Sequence, residues 1–256
     1  MTQSYSTDRL ELTGLHSIPL VEPGDHLGEL LETALVKNKI QLEANDVLVL
    51  AQKIVSKAEG RLVSLDEVDP SEDARHLAAD TGKDPRLVEL ILRESVAVVR
   101  QRDSLIITES NLGIVMANAG IDQSNVAQGT ALLLPKDPDA SAEQLRQYIK
   151  KSSGVSVGIV IADSIGRAWR KGIVGHAIGA AGIPVVVDLR QNMDLLGREL
   201  LVTEVALADE MAAAATLIMG QGGEGIPAVL MRGFGPFEGA TSARTIVRDK
   251  AQDLFR

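Results

Sequence analysis

No cysteine occurs in the 256 residues, which excludes disulfides, thiolate metal sites and cysteine nucleophiles. Aromatic residues are nearly as scarce, at three Phe, two Tyr and one Trp. The core must therefore be built from Val, Ile, Leu, Ala and Met, and base-stacking platforms for single-stranded nucleic acid are not available. Cations are outnumbered, with 26 Lys and Arg against 35 Asp and Glu for a formal net charge of −9. No general basic field exists to attract a phosphate backbone, so a nucleic-acid partner is not expected, and any anionic ligand must be held by a local cluster of Arg and Lys. Long apolar runs are also missing. Stretches such as Val155 to Ala162 are far too short to span a bilayer, and the polar, acidic Met1 to Thr13 lacks a basic-then-apolar signal. The expectation is a cytoplasmic protein with no membrane partner, long enough to bury a substantial core.

What is present is a mixture of strand and helix patterns without regular alternation. Leu10 to Leu20 reads as a short extended segment followed by a turn-rich stretch. A helix start follows Pro23-Gly24-Asp25, with Leu27, Leu30, Leu31 and Leu35 spaced along one face. Asp46 to Ala51 is a buried-strand pattern. Pro70 to Glu94 predicts two helices broken at Gly82 to Pro85, with Ser71 as the first N-cap. Val96 to Thr108 and Gly113 to Ala117 suggest antiparallel strands, and Leu132 to Leu134 a short one. Pro135 to Asp139 reads as a turn before a helix over Ser141 to Lys151. Val155 to Ala162 is the clearest strand, ending at Asp163, and Thr203 is the expected cap of a long alanine-rich helix that stops at Gly220. Ala228 to Met231 is the last strand. Neither an internal repeat nor a low-complexity linker is visible. An α+β protein of mixed sheets and flanking helices in two lobes fits this order better than a plain doubly wound sheet.

Four stretches could carry chemistry. In Asn118 to Asn125 a small-residue loop presents Asp122 and two amides, which suits a hard cation such as Mg²⁺ or Mn²⁺ or, equally, a local Asx-turn. Asp163 and Ser164 follow an apolar strand, where ligands of α/β sheets collect, although an Asx-turn or helix cap is the plainer use. Both aspartates follow buried strands, so they could converge on one metal. Arg167, Arg170 and Lys171 gather three cations beside the second aspartate, suited to phosphate or carboxylate groups or to a solvated turn. Met219 to Pro227 is glycine-rich and could present N–H groups to an anion or simply terminate a helix. It is neither a P-loop nor a dinucleotide fingerprint, and His16, His26, His76 and His176 show no metal-ligand spacing. Residue by residue, these signals point to an enzyme that handles metal and phosphate.

Taken together, these stretches resemble the coenzyme F420-0:L-glutamate ligase family. The matching pieces include Val21 to Asp25, Lys53 to Arg61, Asn118 to Asn125, Ile161 to Arg167, Arg170 to Gly175, Gly197 to Leu200, Ala208 to Glu210 and Met219 to Pro227, spread over Leu12 to Gly233. The resemblance implies a single ligase domain over residues 1–256, an intertwined homodimer, and no fused flavin reductase domain. It implies GTP as cosubstrate, Mg²⁺ or Mn²⁺ with K⁺ as a further cation, and the F420 precursor and L-glutamate as reaction partners. By position it implies Asp122, Asp163, Ser164 and Gln221 as metal ligands, with Asp122, Asp163 and Arg167 as the catalytic set. The implied nucleotide contacts are Leu15, His16, Ser17, Ile18, Pro19, Gln52, Lys53, Lys57 and Asn125, with Met219, Gly220, Gln221, Gly222, Gly223, Glu224, Gly225 and Ile226. Two alternatives stay open at this level: a metal-dependent kinase or ligase for another acidic metabolite, and a non-catalytic nucleotide-binding regulator.

Overall fold

The computed structural model describes residues 7–254. In chain order the elements are β1 (Glu11–Gly14), α1 (Leu27–Lys37), β2 (Val47–Ala51), α2 (Gln52–Ala58), β3 (Leu62–Ser64), α3 (Glu72–Thr81), α4 (Pro85–Arg93), β4 (Ser95–Arg102), β5 (Leu105–Ser110) and β6 (Val115–Ala117). The second half adds β7 (Thr130–Leu132), α5 (Pro138–Ser153), β8 (Gly158–Arg167), β9 (Arg170–Ala181), β10 (Val187–Asp188), β11 (Glu204–Val205), α6 (Leu207–Met219) and β12 (Ala228–Arg232).

The main sheet runs β1-β12-β2-β8-β9 and is antiparallel except where β2 lies parallel to β8. Smaller sheets pair β3 with β7 and β10 with β11, and a third runs β4-β5-β6. This is a mixed α and β protein, in keeping with the α+β reading. The unbroken apolar run of β2 follows from burial on both faces. Leu48 and Leu50 enter the core shared with α1 and α5, while Val47 and Val49 enter the core beneath α6. A third cluster, with Val88, Leu90 and Ile91 of α4 and Ile106 of β5, forms apart from these two.

Most helix ends follow local chemistry. Ser71 caps α3 by accepting from the Ala74 N–H, and Gly82 ends that helix at φ 66°, a conformation glycine adopts without strain. Asp84 caps α4 ahead of Pro85. Four segments differ from expectation. The run Val96 to Thr108 is divided by a turn at Asp103-Ser104 into the hairpin of β4 and β5. Helix α5 starts at Pro138, because proline fits the first helical position and Asp137 supplies the cap. Strand β8 continues through Asp163 to Arg167, its polar end held by pairing with β9. Thr203 does not cap α6; Glu204 belongs to β11 and pairs with Asp188, and α6 opens at Leu207 behind Ala206 with no side-chain cap. The charges favourable at the start of that helix come from Asp209 and Glu210 in its first turn.

Candidate active site

The parallel pairing of β2 and β8 ends at Ala51 opposite Ala162, where β2 stops and β8 runs on. Each chain leaves that edge with functional side chains: Gln52, Lys53 and Lys57 on α2, and Asp163 and Ser164 on the continuing strand. Ligands of α/β sheets collect at this edge because two neighbouring strands deliver their loops into one crevice. Here the crevice is a cavity of about 540 Å³ lined by these residues together with Ile18, Pro19, Asp122, Asn125, the Met219–Gly223 run, Gly225 and Ile226. Aspartates 41 residues apart in sequence thus line one space.

Asp122 is brought in by a left-handed turn. Asn118, Ala119 and Gly120 all have positive φ, after which Asp122 exchanges backbone hydrogen bonds with Leu132. Its Oδ1 accepts the Ser124 N–H at 2.6 Å, and its Oδ2 lies 2.6 Å from Lys53 Nζ, which also donates to Ser124 Oγ at 2.5 Å. Burial would raise the Asp122 pKa, but the bonds from Lys53 and Ser124 outweigh it and hold the carboxyl below its usual range. Asp163 is different. Burial pushes its pKa up to about 6, the Asp122 charge adds to the rise, and the Ser164 N–H at 2.8 Å offsets only part of it. The two carboxylates therefore repel one another across the cavity, and among the described residues no cation is paired directly with Asp163.

Ser164 Oγ donates to Gln221 Oε1 at 2.8 Å, which ties β8 to the glycine-rich loop. That loop begins where Gly220, at φ 70°, closes α6. Among the described residues no three His, Asp or Glu side chains gather into a metal-binding group. The donor set is instead two carboxylates with a hydroxyl and an amide oxygen, and Mg²⁺-type sites are commonly of this kind, completed by substrate phosphates and water. The oxygen donors fit a hard divalent cation. Lys57 Nζ donates to the Asn125 carbonyl at 2.9 Å, fastening α2 to the Asp122 loop. Gln52 is buried and accepts from Ser56 Oγ at 2.8 Å.

Several expected residues stand elsewhere. Leu15 is fully buried in the core, and His16 and Ser17 are exposed and do not line the cavity. Glu224 is off the lining too, its carboxylate accepting the Gly222 N–H at 2.8 Å on the loop itself. Arg167 lines a second cavity, while Arg170 and Lys171 are exposed at the β8–β9 hairpin. Sequence reasoning missed Ser124, whose position two residues after Asp122 is the usual spacing of an Asx-turn. It also missed Leu20, Val21, Ile173 and Thr216, apolar or bland side chains for which the sequence carries no signal beyond burial.

Comparison with known proteins bears on this geometry. A family model described as F420-0:Gamma-glutamyl ligase matches residues 16–233. The chain is 50% identical over 249 residues to a coenzyme F420:L-glutamate ligase of Methanopyrus kandleri, covering 94% of this chain and 97% of that one. It is 44% identical to the protein of the same name from Methanothermobacter thermautotrophicus, covering 96% and 99% respectively. For that of Methanocaldococcus jannaschii the identity is 42%, with 97% of both chains covered.

Proposed function

The chain belongs to the F420-0:gamma-glutamyl ligase family, and from that premise we propose that it joins L-glutamate to the F420 precursor at the expense of GTP in the cavity at the ends of β2 and β8. The observation that supports this most directly is the convergence there of Asp122, Asp163, two lysines and a glycine-rich loop. An amide bond does not form from carboxylate and ammonium at neutral pH without activation. The chemistry has two steps. A precursor carboxylate oxygen attacks the γ-phosphorus of GTP, the bond to the β-phosphate oxygen breaks, and GDP leaves with an acyl phosphate formed. The amine nitrogen of glutamate, having lost one proton, then attacks the acyl carbon; the carbon–oxygen bond to phosphate breaks, the nitrogen gives up a second proton, and phosphate departs. Repetition on the new side chain would add further, γ-linked glutamates.

This chain's residues have distinct tasks in the scheme. Lys53 and Lys57 supply positive charge for phosphate oxygens, and the Gly220–Gly225 backbone allows close approach with N–H donors. Asp122, Asp163, Ser164 and Gln221 would hold Mg²⁺ or Mn²⁺. When bound, such an ion offsets charge on the transferring phosphoryl group. Lys53 now occupies one oxygen of Asp122 and would transfer its charge to a phosphate on nucleotide entry. The assay that tests the reading is mass spectrometry of purified protein with F420 precursor, L-glutamate, GTP and Mn²⁺. Mass gains of one or more glutamyl residues, dependent on GTP and metal, are expected. GTP hydrolysis without any gain would transfer the site to another acidic metabolite, and nucleotide binding without turnover would favour a regulator.

The same reading includes a homodimer with each chain in two lobes, the second built on the separate core beneath α3 and α4. Support for the dimer comes from the segment between β10 and β11. There Leu195, Leu196, Leu201 and Val202 are each more than 70% exposed, and Leu217 of α6 is equally open. An apolar set this exposed is unusual for a surface that stays in water. Light scattering after size-exclusion chromatography should give twice the 27.2 kDa chain mass, and Leu196→Glu with Leu201→Glu should shift it to the monomer. A wild-type monomer at micromolar concentration would remove the dimer from this reading.

A further inference from the structure

Behind the β8–β9 hairpin lies a second cavity of about 330 Å³, lined by Arg167, His176, Asp209 and Arg248 among apolar residues such as Ile165 and Ile246. Its polar groups are incompletely used. Arg167 Nη1 is buried with no hydrogen-bond partner among the described residues, the one charged group in that position, and Nη2 makes only a 3.5 Å contact to the Lys171 carbonyl. A buried guanidinium donor left open is costly in a folded protein, and its planar fork matches a carboxylate. Asp209 uses Oδ1 to accept the Ala177 N–H at 2.9 Å, and no hydrogen bond to its Oδ2 is found among the described residues. Burial pushes the Asp209 pKa upward, and the Ala177 N–H and the neighbouring His176 offset only part of the rise. The cavity thus holds an open anion receptor and an open cation receptor, the complement of a zwitterion.

Position and size narrow the occupant. His176 stands opposite Asp163 in the β8–β9 register, and Ile165 and Arg167 of the strand that carries Asp163 line the cavity too, so it borders the strand of the proposed metal aspartate. Its volume is at the low end of the roughly 300–1,000 Å³ typical of small-molecule sites, a size that suits an amino acid. We propose that this cavity seats the attacking amino acid, with Arg167 clamping a carboxylate and Asp209 receiving the ammonium group. The assignment rests on the ligase reading above and locates one of its substrates.

The test separates the two half-reactions. Hydroxylamine intercepts an acyl phosphate as a hydroxamate without needing glutamate, so precursor, GTP, Mn²⁺ and hydroxylamine report activation alone. Arg167→Ala should raise KM for L-glutamate by about 100-fold, the scale of a lost charge-assisted bidentate pair, while the hydroxamate rate and KM for GTP stay within about twofold. Arg167→Lys should recover part of the loss, and Asp209→Asn should raise the same KM. An unchanged glutamate KM in Arg167→Ala, or a fall in hydroxamate rate equal to the fall in glutamyl transfer, would overturn the assignment and leave the ligase reading standing. A wild-type protein that forms neither hydroxamate nor glutamyl product would overturn both. Should Arg167→Ala fail to fold, Arg167→Lys and Asp209→Asn decide the matter by the same KM comparison.

Discussion

Asp163→Ala and Asp122→Ala are each expected to lower kcat for glutamyl transfer by about 10³-fold or more, the scale seen when a group that stabilises transition-state charge is removed. Far-UV circular dichroism should remain that of the wild type, since neither side chain is part of the apolar core. Full activity in either variant would defeat the metal assignment. The isosteric Asp163→Asn separates activity from stability. The Asp163 carboxyl titrates near 6 in the folded chain, above its ordinary 3.8. Folded and unfolded chains are both protonated at this site well below pH 3.8. Between about 4 and 6 the unfolded chain ionises first, so stability falls as pH rises, and above 6 the full penalty persists. Its size is on the order of 3 kcal/mol. Without metal at pH 7.5, Asp163→Asn should therefore melt higher than the wild type by roughly 6–12 °C, and the difference should fall to about a third of that at pH 4.5. Equal melting temperatures at both pH values would show that Asp163 is solvated well enough to ionise freely. A site that is less stable than its inactive variant is what a charge kept for function looks like.

The pieces of this site that could be read from the sequence were those with a local signature. β2 is an unbroken apolar run, Ser71 and Gly82 bracket a helix in the usual way, and Gly220 follows the last apolar residue of α6. Asp163 could be picked out because a carboxylate at the end of an apolar run is conspicuous, and Asp122 because it stands with two amides in a small-residue loop. That they share a cavity depends on the parallel register of β2 and β8 and on the left-handed turn at 118–120, neither of which has a signature at this separation. The strand β9 went unread for a physical reason. Arg170 to Gly175 is polar and glycine-bearing, with no alternation of apolar residues, and its extended form comes from hydrogen bonding to β8 rather than from its own composition. Missing that hairpin hid the second cavity as well, because Arg167 reads as part of a basic cluster until β9 and the Ala243–Ile246 turn enclose it.

Glycines on β9 should prove as sensitive as any position in the molecule. This strand is pressed from both sides: a Cβ at Gly179 would lie 2.5 Å from the backbone carbonyl of Pro138 at the start of α5, and one at Gly175 would lie 2.5 Å from the Ala212 carbonyl of α6. Neither obstacle is a flexible side-chain end, so one of the packed helices must shift or the strand must leave its register. Overpacking of this kind costs about 3 kcal/mol, and for a chain of this size Gly179→Val should lower the melting temperature by roughly 10 °C. Gly166 is the matched control. It sits on the adjoining strand at ordinary negative φ with no heavy atom within 4 Å of a Cβ, and Gly166→Ala should stay within about 0.5 kcal/mol of the wild type. Because His176 is carried on β9 between the two glycines and faces Asp163 across the register, moving the strand would disturb both cavities at once. Loss of glutamyl transfer in Gly179→Val should therefore include the hydroxamate half-reaction, unlike the loss in Arg167→Ala. A Gly179→Val protein that melts with the wild type would mean that α5 yields to β9, and that the glycines are not what sets the depth of this packing.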